Sequence, residues 1–239
     1  MSYIRLKSME TLILPIGSYE YHWSLPLNTD TIIAKYISEK LSERINNSKT
    51  YPPLNYSVST EHLERKETIS IDPEVFLAYV RNIILSLLKL KPKRIILVNG
   101  HGGNRGLLEA LITELQYTAN EIRIILLDVW SAVQRIIKEL FDIEVKSIIH
   151  GGLIEASILS ACDIKLENYR NITFNEALNM IVEIRYRKTV IIKTPWTISS
   201  LKEPAKIYSK ELGKKIVTKL LEEIVTEIET AEIEKITPL

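Results

Sequence analysis

Histidine nitrogens and carboxylate oxygens are the groups in this chain best suited to chemistry, and they gather just after its apolar runs. TLILPIG is followed by SYEYHWSLPLNTD, which carries Glu20, His22 and Asp30; RIILVN is followed by GHGGN, with His101 and Asn104. IRIILLD leads to Trp130, and further on HGGLIEAS sets His150 and Glu155 five residues apart. Glu, His and Asp offer the donors that Zn²⁺, Mn²⁺ and Fe²⁺ take. Glu20 and His22, two residues apart in an extended segment, point the same way. A carboxylate such as Asp30 has two oxygens and could bridge two cations about 3.5–4 Å apart, the arrangement that activates water for hydrolysis. Adding His101 and Glu155 completes a set of five. Each residue also has an ordinary alternative. A loop Glu or Asp is commonly a solvated charge, and HGGLIEAS taken alone reads as a polar helix start. The glycines of GHGGN serve equally to allow a tight turn or to present amides to a phosphate. As a nucleotide fingerprint GHGGNRG fits neither GxGxxG nor GxxxxGK[ST].

The elements that must position these residues follow from periodicity. TLILPIG, RIILVNG and IRIILLDVW predict buried strands, whereas 73–90, 104–118 and 205–230 carry helical periodicity. TVIIKT, 189–194, predicts a further strand, and the two prolines of YPPLNYSVST predict a strand that breaks into loop. This alternation predicts an α/β fold, a mainly parallel sheet covered by helices. Sites in such sheets form beyond the carboxyl ends of the strands, where the polar residues lie. The last helix carries an apolar stripe, which fits packing on the core better than a subunit contact.

Composition sets the remaining bounds. A chain of 239 residues, 46% hydrophobic, buries a sizeable core, so one domain over 1–239 is expected. The formal charge is +1 with Lys and Arg spread along the chain, which gives no footprint for nucleic acid. The single cysteine, Cys162, excludes an intramolecular disulfide framework and, among apolar neighbours, suits a buried small hydrophobe. MSYIRLKSME lacks the apolar core of a signal peptide, and no run of about 18 apolar residues is present, so a soluble cytoplasmic protein without membrane contact is expected.

PIGSYEYHWSLPLNTDTIIA, VNGHGGNRG and HGGLIEAS, in this order and at these separations, resemble the creatininase (creatinine amidohydrolase) family, whose first motif reads approximately PxGSxEQHGxHLPLxTDxxxA. The likeness runs from about residue 11 to about residue 215. It implies a three-layer α/β/α sandwich, often oligomeric, with two divalent ions of zinc, iron or manganese. Carried over by position, it implies Glu20 and His22 as ligands, Asp30 bridging, and His101 and Glu155 as further ligands. His150 is implied as the proton-transfer residue beside a small-molecule substrate.

Departures from the pattern direct the reading within the family. Gly103 stands where the creatinine-hydrolysing branch has a glutamate ligand, and Glu155 is expected to take its place. KSII, 146–149, replaces a stacking tryptophan of that branch, for which Trp130 is a partial equivalent. Trp23 replaces a glycine, and the motif is one residue shorter between His22 and Pro26; Tyr21 and Trp23 are open to lining the pocket or to packing. Glu61-His62 resembles a family position near the pocket, and His62, Trp130 and Asn104 are expected at the substrate. These features shift the expected activity towards a formamidopyrimidine ribotide deformylase of riboflavin and deazaflavin synthesis. Creatinine hydrolysis and mycofactocin-type peptidase activity are the alternatives, and a metal- or nucleotide-binding module without turnover is the alternative of another class. A phosphorylated substrate requires cations at the mouth, with Arg65, Lys66 and Arg105 as candidates.

Overall fold

The three apolar runs become three adjacent strands of one parallel sheet. In the computed structural model, which describes residues 10–118, 122–145, 148–186 and 203–233, they form β1 (Thr11–Ile16), β3 (Arg94–Asn99) and β4 (Arg123–Asp128). A short β2 (Ser48–Thr50) adds to the edge, giving the order β2-β1-β3-β4. The segment after β2 leaves the sheet at its two prolines and rejoins it through a bridge from Leu54 to Ile16. The register pairs Ile16 with Asn99 and Asn99 with Asp128, so three strands end flush. Their outgoing loops therefore open at the same edge. The expected strand at 189–194 lies outside the described residues, as do Lys146 and Ser147 of KSII and residues 1–9 of the N-terminal segment.

Side chains alternate across the strands with a period of two, which splits the core in two layers. Leu12, Leu14, Ile16, Ile95 and Leu97 face α2 (Pro73–Leu88) and α3 (Arg105–Thr118), packing against Phe76, Val80, Ile84, Leu108 and Leu111. Ile13, Ile96 and Val98 face the opposite way, towards α1 (Thr29–Ser42), α4 (Val129–Phe141), α5 (Leu153–Ala161) and α7 (Lys210–Ile233). The result is the three-layer α/β/α arrangement. α6 (Phe174–Tyr186) joins the second layer through Ala177 and Ile181, and a small parallel pair, β5 (Arg170–Asn171) with β6 (Ile207–Tyr208), sits apart from the main sheet.

All nine residues of α5 are buried, because α7 lies across it with the stripe Leu212, Ile216, Leu220, Ile224 and Ile228 turned inward. The final helix thus packs on the core. Cys162 follows α5, partly buried, with its thiol pushed up to about 12 by burial, which suits packing and not nucleophilic attack. Among the described residues no helix is long and apolar enough to cross a membrane.

Ser157 ties α5 to the start of α7. Its hydroxyl donates to the Leu153 carbonyl at 2.6 Å and accepts the Ser209 amide at 2.9 Å, both in the interior. Ser157→Ala should leave that buried amide unsatisfied and lower unfolding stability by about 1–3 kcal/mol, read from urea denaturation.

Candidate metal centre

Asp30 occupies the first turn of α1, where the helix dipole favours a negative charge. Two glycines bring the strand ends to it. A Cβ on Gly17 would stand 2.4 Å from the Thr31 backbone, and one on Gly100 would stand 2.4 Å from the Asp30 carbonyl. Only residues without side chains let β1 and β3 end this close to α1. Between β1 and α1 the loop folds back on itself, with Glu20 N bonded to the Leu27 carbonyl and Leu25 N to that of His22. Trp23 sits in the turn with φ of 57°, the left-handed region that favours the glycine of the family motif it resembles.

Six expected residues converge here: Glu20, His22, Asp30, His101, His150 and Glu155. Asp30 divides its two oxygens, Oδ1 lying 3.2 Å from His22 Nε2 and Oδ2 lying 3.0 Å from His101 Nδ1. The Ser18 hydroxyl donates to Oδ2 at 2.8 Å and holds the carboxylate in place. Glu20 Oε1 approaches His101 Nδ1 at 3.3 Å, while Glu155 Oε2 lies 4.0 Å from His22 Nε2. One oxygen of Asp30 thus faces His101 and the other faces His22; Glu155 joins on the His22 side, and Glu20 lies nearer His101, with Oε1 3.3 Å from His101 Nδ1 and 3.9 Å from His22 Nε2.

Backbone carbonyls decide which nitrogen of each ring faces the centre. His22 Nδ1 donates to the Glu20 carbonyl at 3.0 Å, leaving Nε2 turned towards the carboxylates. His101 Nε2 donates to the Val58 carbonyl at 2.9 Å, leaving Nδ1 inward. His150 Nε2 donates to the Tyr21 carbonyl at 2.6 Å, so that its Nδ1 faces Glu20 Oε1 at 3.9 Å. Such bonds fix the tautomer of a ligating imidazole.

Electrostatics separate the histidines. Burial opposes charge on His22, yet Asp30, Glu155 and Glu20 together push its pKa up to about 10; His101 is raised likewise against burial by Glu20 and Asp30. Burial lowers His150 to about 3, assisted by the positive charge of His22. Among the carboxyls, burial works against ionisation of Glu20 but His101 holds it at about 2, and Asp30 is lowered in the same manner by His22 and His101. Burial raises Glu155 to about 8 despite His22. Protonated imidazoles therefore supply the countercharge that buried carboxylates need.

The cluster forms the floor of a cavity of about 470 Å³ whose walls include His62, Trp130, Gln134 and Ile148. His62 stacks on His150 with ring centroids 4.4 Å apart, and Trp130 is fixed by donating Nε1 to the Gly100 carbonyl. The expected placement of Asn104 at the substrate is corrected. It is fully buried behind the site, its amide donating to the Gly17 carbonyl and Asn99 Oδ1, and it does not line the cavity. Tyr21 and Trp23 pack on each other and under the Arg65 guanidinium. Arg105 is engaged by Glu109 and Ser131. Glu155 lies beside His22 and not next to Gly103; the carboxylate beside Gly103 is Glu61, which the sequence reading did not count among the ligands.

The family model described as creatininase, creatinine amidohydrolase, matches residues 3–228. The mycofactocin precursor peptide peptidase of Mycobacterium ulcerans is 33% identical over 119 residues, covering 44% of this chain and 46% of that protein. The creatinine amidohydrolase of Pseudomonas putida is 26% identical over 170 residues, covering 63% of each. The chain thus spans between 46% and 63% of the length of these relatives. A crystal structure of creatinine amidohydrolase superposes with a TM-score of 0.69 at 23% identity, over 92% of this chain and 90% of that one. Related solved chains include a mutant creatininase of Zn-Zn type and a manganese form.

The protonation pattern has a measurable consequence. At neutral pH a cation taking the lone pairs of His22 and Glu155 must displace their protons, since both groups titrate above pH 7. Mn²⁺ binding should release protons and tighten as pH rises from about 6 to 8. Calorimetry in buffers of different ionisation enthalpy reads this; binding with no net proton release would contradict it.

Proposed function

The chain belongs to the creatininase family, and from that premise we propose that it is a metal-dependent amidohydrolase cleaving a non-peptide C–N bond, amide or formamide, in a small molecule. The observation that carries this reading is the division of Asp30 between two donor sets, Glu20 with His101 and His22 with Glu155. The residues fit two divalent ions. Their donor types are those of zinc, iron and manganese sites, and the donor atoms of Glu20, His22 and Asp30 lie within 4.8 Å of one another. Glu20 Oε2 is buried with no hydrogen-bond partner among the described residues, the state of a donor atom that awaits a ligand.

When bound, divalent ions at such a centre supply Lewis acidity to a carbonyl and acidify water. The chain supplies the rest. His150 is held neutral, with Nε2 tied to Tyr21 and Nδ1 open to the cavity, so it can accept a proton there and pass it to the leaving nitrogen. His62 keeps that ring in place by stacking on it. Trp130 and Ile148 give an apolar wall against which a flat substrate can pack.

Within this class we propose the formamide of a formamidopyrimidine ribotide as the substrate. Support comes from Gly103, which departs from the creatinine-hydrolysing pattern, and from a cavity within the usual size range for small-molecule sites. No lysine or arginine lines the cavity among the described residues. The phosphate falls to Arg65, three residues beyond His62, whose Nε has no hydrogen-bond partner among the described residues.

Metal-reconstituted protein should release formate from the ribotide faster than creatine from creatinine. Stoichiometric metal with no cleavage of ribotide, creatinine or peptide would instead favour a binding module. Asp30→Asn should lose both ions together, and full occupancy in that variant would remove the bridging role. His150→Ala should keep both ions while turnover falls by roughly 10²–10⁴-fold.

A further inference from the structure

The cavity holds one carboxylate that the division at Asp30 leaves without a task. Glu61 lies on the short turn Thr60–His62, and its Oε1 is 3.6 Å from His101 Nε2. Its side chain is 28% exposed, so it stands between the buried floor and solvent. Donor atoms of Glu20, Glu61 and His101 lie within 4.8 Å of one another, close enough for one ion to touch all three. Glu20 is only 1% exposed, and its Oε2 has no hydrogen-bond partner among the described residues. An ion at this position would satisfy that atom.

Gly103 explains why Glu61 can reach inward. A Cβ built there would stand 2.9 Å from Glu61 Oε1, 2.5 Å from His101 Nε2 and 2.8 Å from the Val58 carbonyl. Any side chain at position 103 would therefore occupy the space through which Glu61 and His101 meet. The glycine and the glutamate form one arrangement, supplied by two loops more than 40 residues apart.

Building on the metal centre proposed above, we propose that Glu61 is a further metal ligand, serving the ion held by Glu20 and His101, and that Gly103 clears its path. Glu20 and His101 alone, with a shared Asp30, leave that ion three protein donors. Glu61 adds the fourth from the solvent side. Glu61 lines the cavity, and its charge would lower the net positive charge that a bound ion presents to substrate.

Glu61→Gln tests the assignment, because the amide keeps nearly the shape of the carboxylate but its oxygen is a much poorer ligand. The readouts are Mn²⁺ stoichiometry, Mn²⁺ affinity and the electron paramagnetic resonance spectrum. The proposal expects two Mn²⁺ with an exchange-coupled spectrum in the unaltered chain. Glu61→Gln should retain one tightly bound Mn²⁺ with an uncoupled spectrum, the second being weakened by more than the roughly 10–100-fold that loss of a supporting hydrogen bond costs. The retained ion reports that the variant is folded. Two ions bound by Glu61→Gln within that 100-fold limit overturn the proposal while leaving the metal centre intact. An unaltered chain that binds no Mn²⁺ overturns the centre and this inference together.

Discussion

Everything at the site depends on keeping one carboxylate ionised out of contact with water. Asp30 is 2% exposed, and an isolated carboxylate so buried would take up a proton and neutralise. It stays ionised because the first turn of α1, the Ser18 hydroxyl and two imidazoles all address it. Those partners come from three separate stretches of chain, and they meet because β1 and β3 end flush in the sheet. The parallel register and the glycines at 17 and 100 are therefore conditions on the charge as much as on the fold. A change that shifted either strand end would leave Asp30 facing fewer donors, which makes sheet geometry and site electrostatics one constraint.

The sheet was legible because buried parallel strands read as unbroken apolar runs, as β1 and β3 do, and β4 is as apolar in sequence although it is only half-buried at the sheet edge. Helices α2, α3 and α7 were legible for the complementary reason, a single apolar stripe. α1 escaped the pattern because its inner face carries Thr29, Asp30, Thr31 and Ser38, buried polar residues that dilute the periodicity. α4 begins at Val129 directly after β4, with Asp128 capping it through the Ser131 amide, so the apolar run passes from strand to helix without a break. β5 and β6 are two residues each, too short for any period.

Candidate site residues were legible where they follow a strand. Glu20, His22, Asp30 and His101 do so, and the structure brings them together with His150 and Glu155. Glu61 follows no strand of the main sheet and lies on a turn of three residues, so position along the chain gives it no emphasis. The signal that could have found it was a vacancy. Gly103 was recognised as a missing side chain, but the space was assigned to Glu155, which lies across the site near His22. A missing side chain is filled by a spatial neighbour, and sequence alone does not say which loop supplies it. Asn104 failed for a related reason: its side chain satisfies the backbone that shapes the loop, and a polar residue beside a site is often there to hold the site's walls.

His22 and His150 show how one fold assigns opposite tasks to the same side chain. Both are buried, and their rings lie 4.1 Å apart between centroids, yet one is pushed up to about 10 and the other down to about 3. Burial lowers both, so it cannot separate them. What differs is the company of the inward nitrogen. His22 Nε2 faces Asp30 at 3.2 Å as well as Glu20 and Glu155, whereas His150 Nδ1 faces Glu20 at 3.9 Å, has no contact as short as that with Asp30, and shares the field of His22. The nearer histidine absorbs the carboxylate charge and leaves its neighbour neutral. A cation in place of the His22 proton would preserve that relation, since it too would present positive charge to His150. The proposed roles, ligand for His22 and proton carrier for His150, thus follow from a field that favours charge on one ring by denying it to the other.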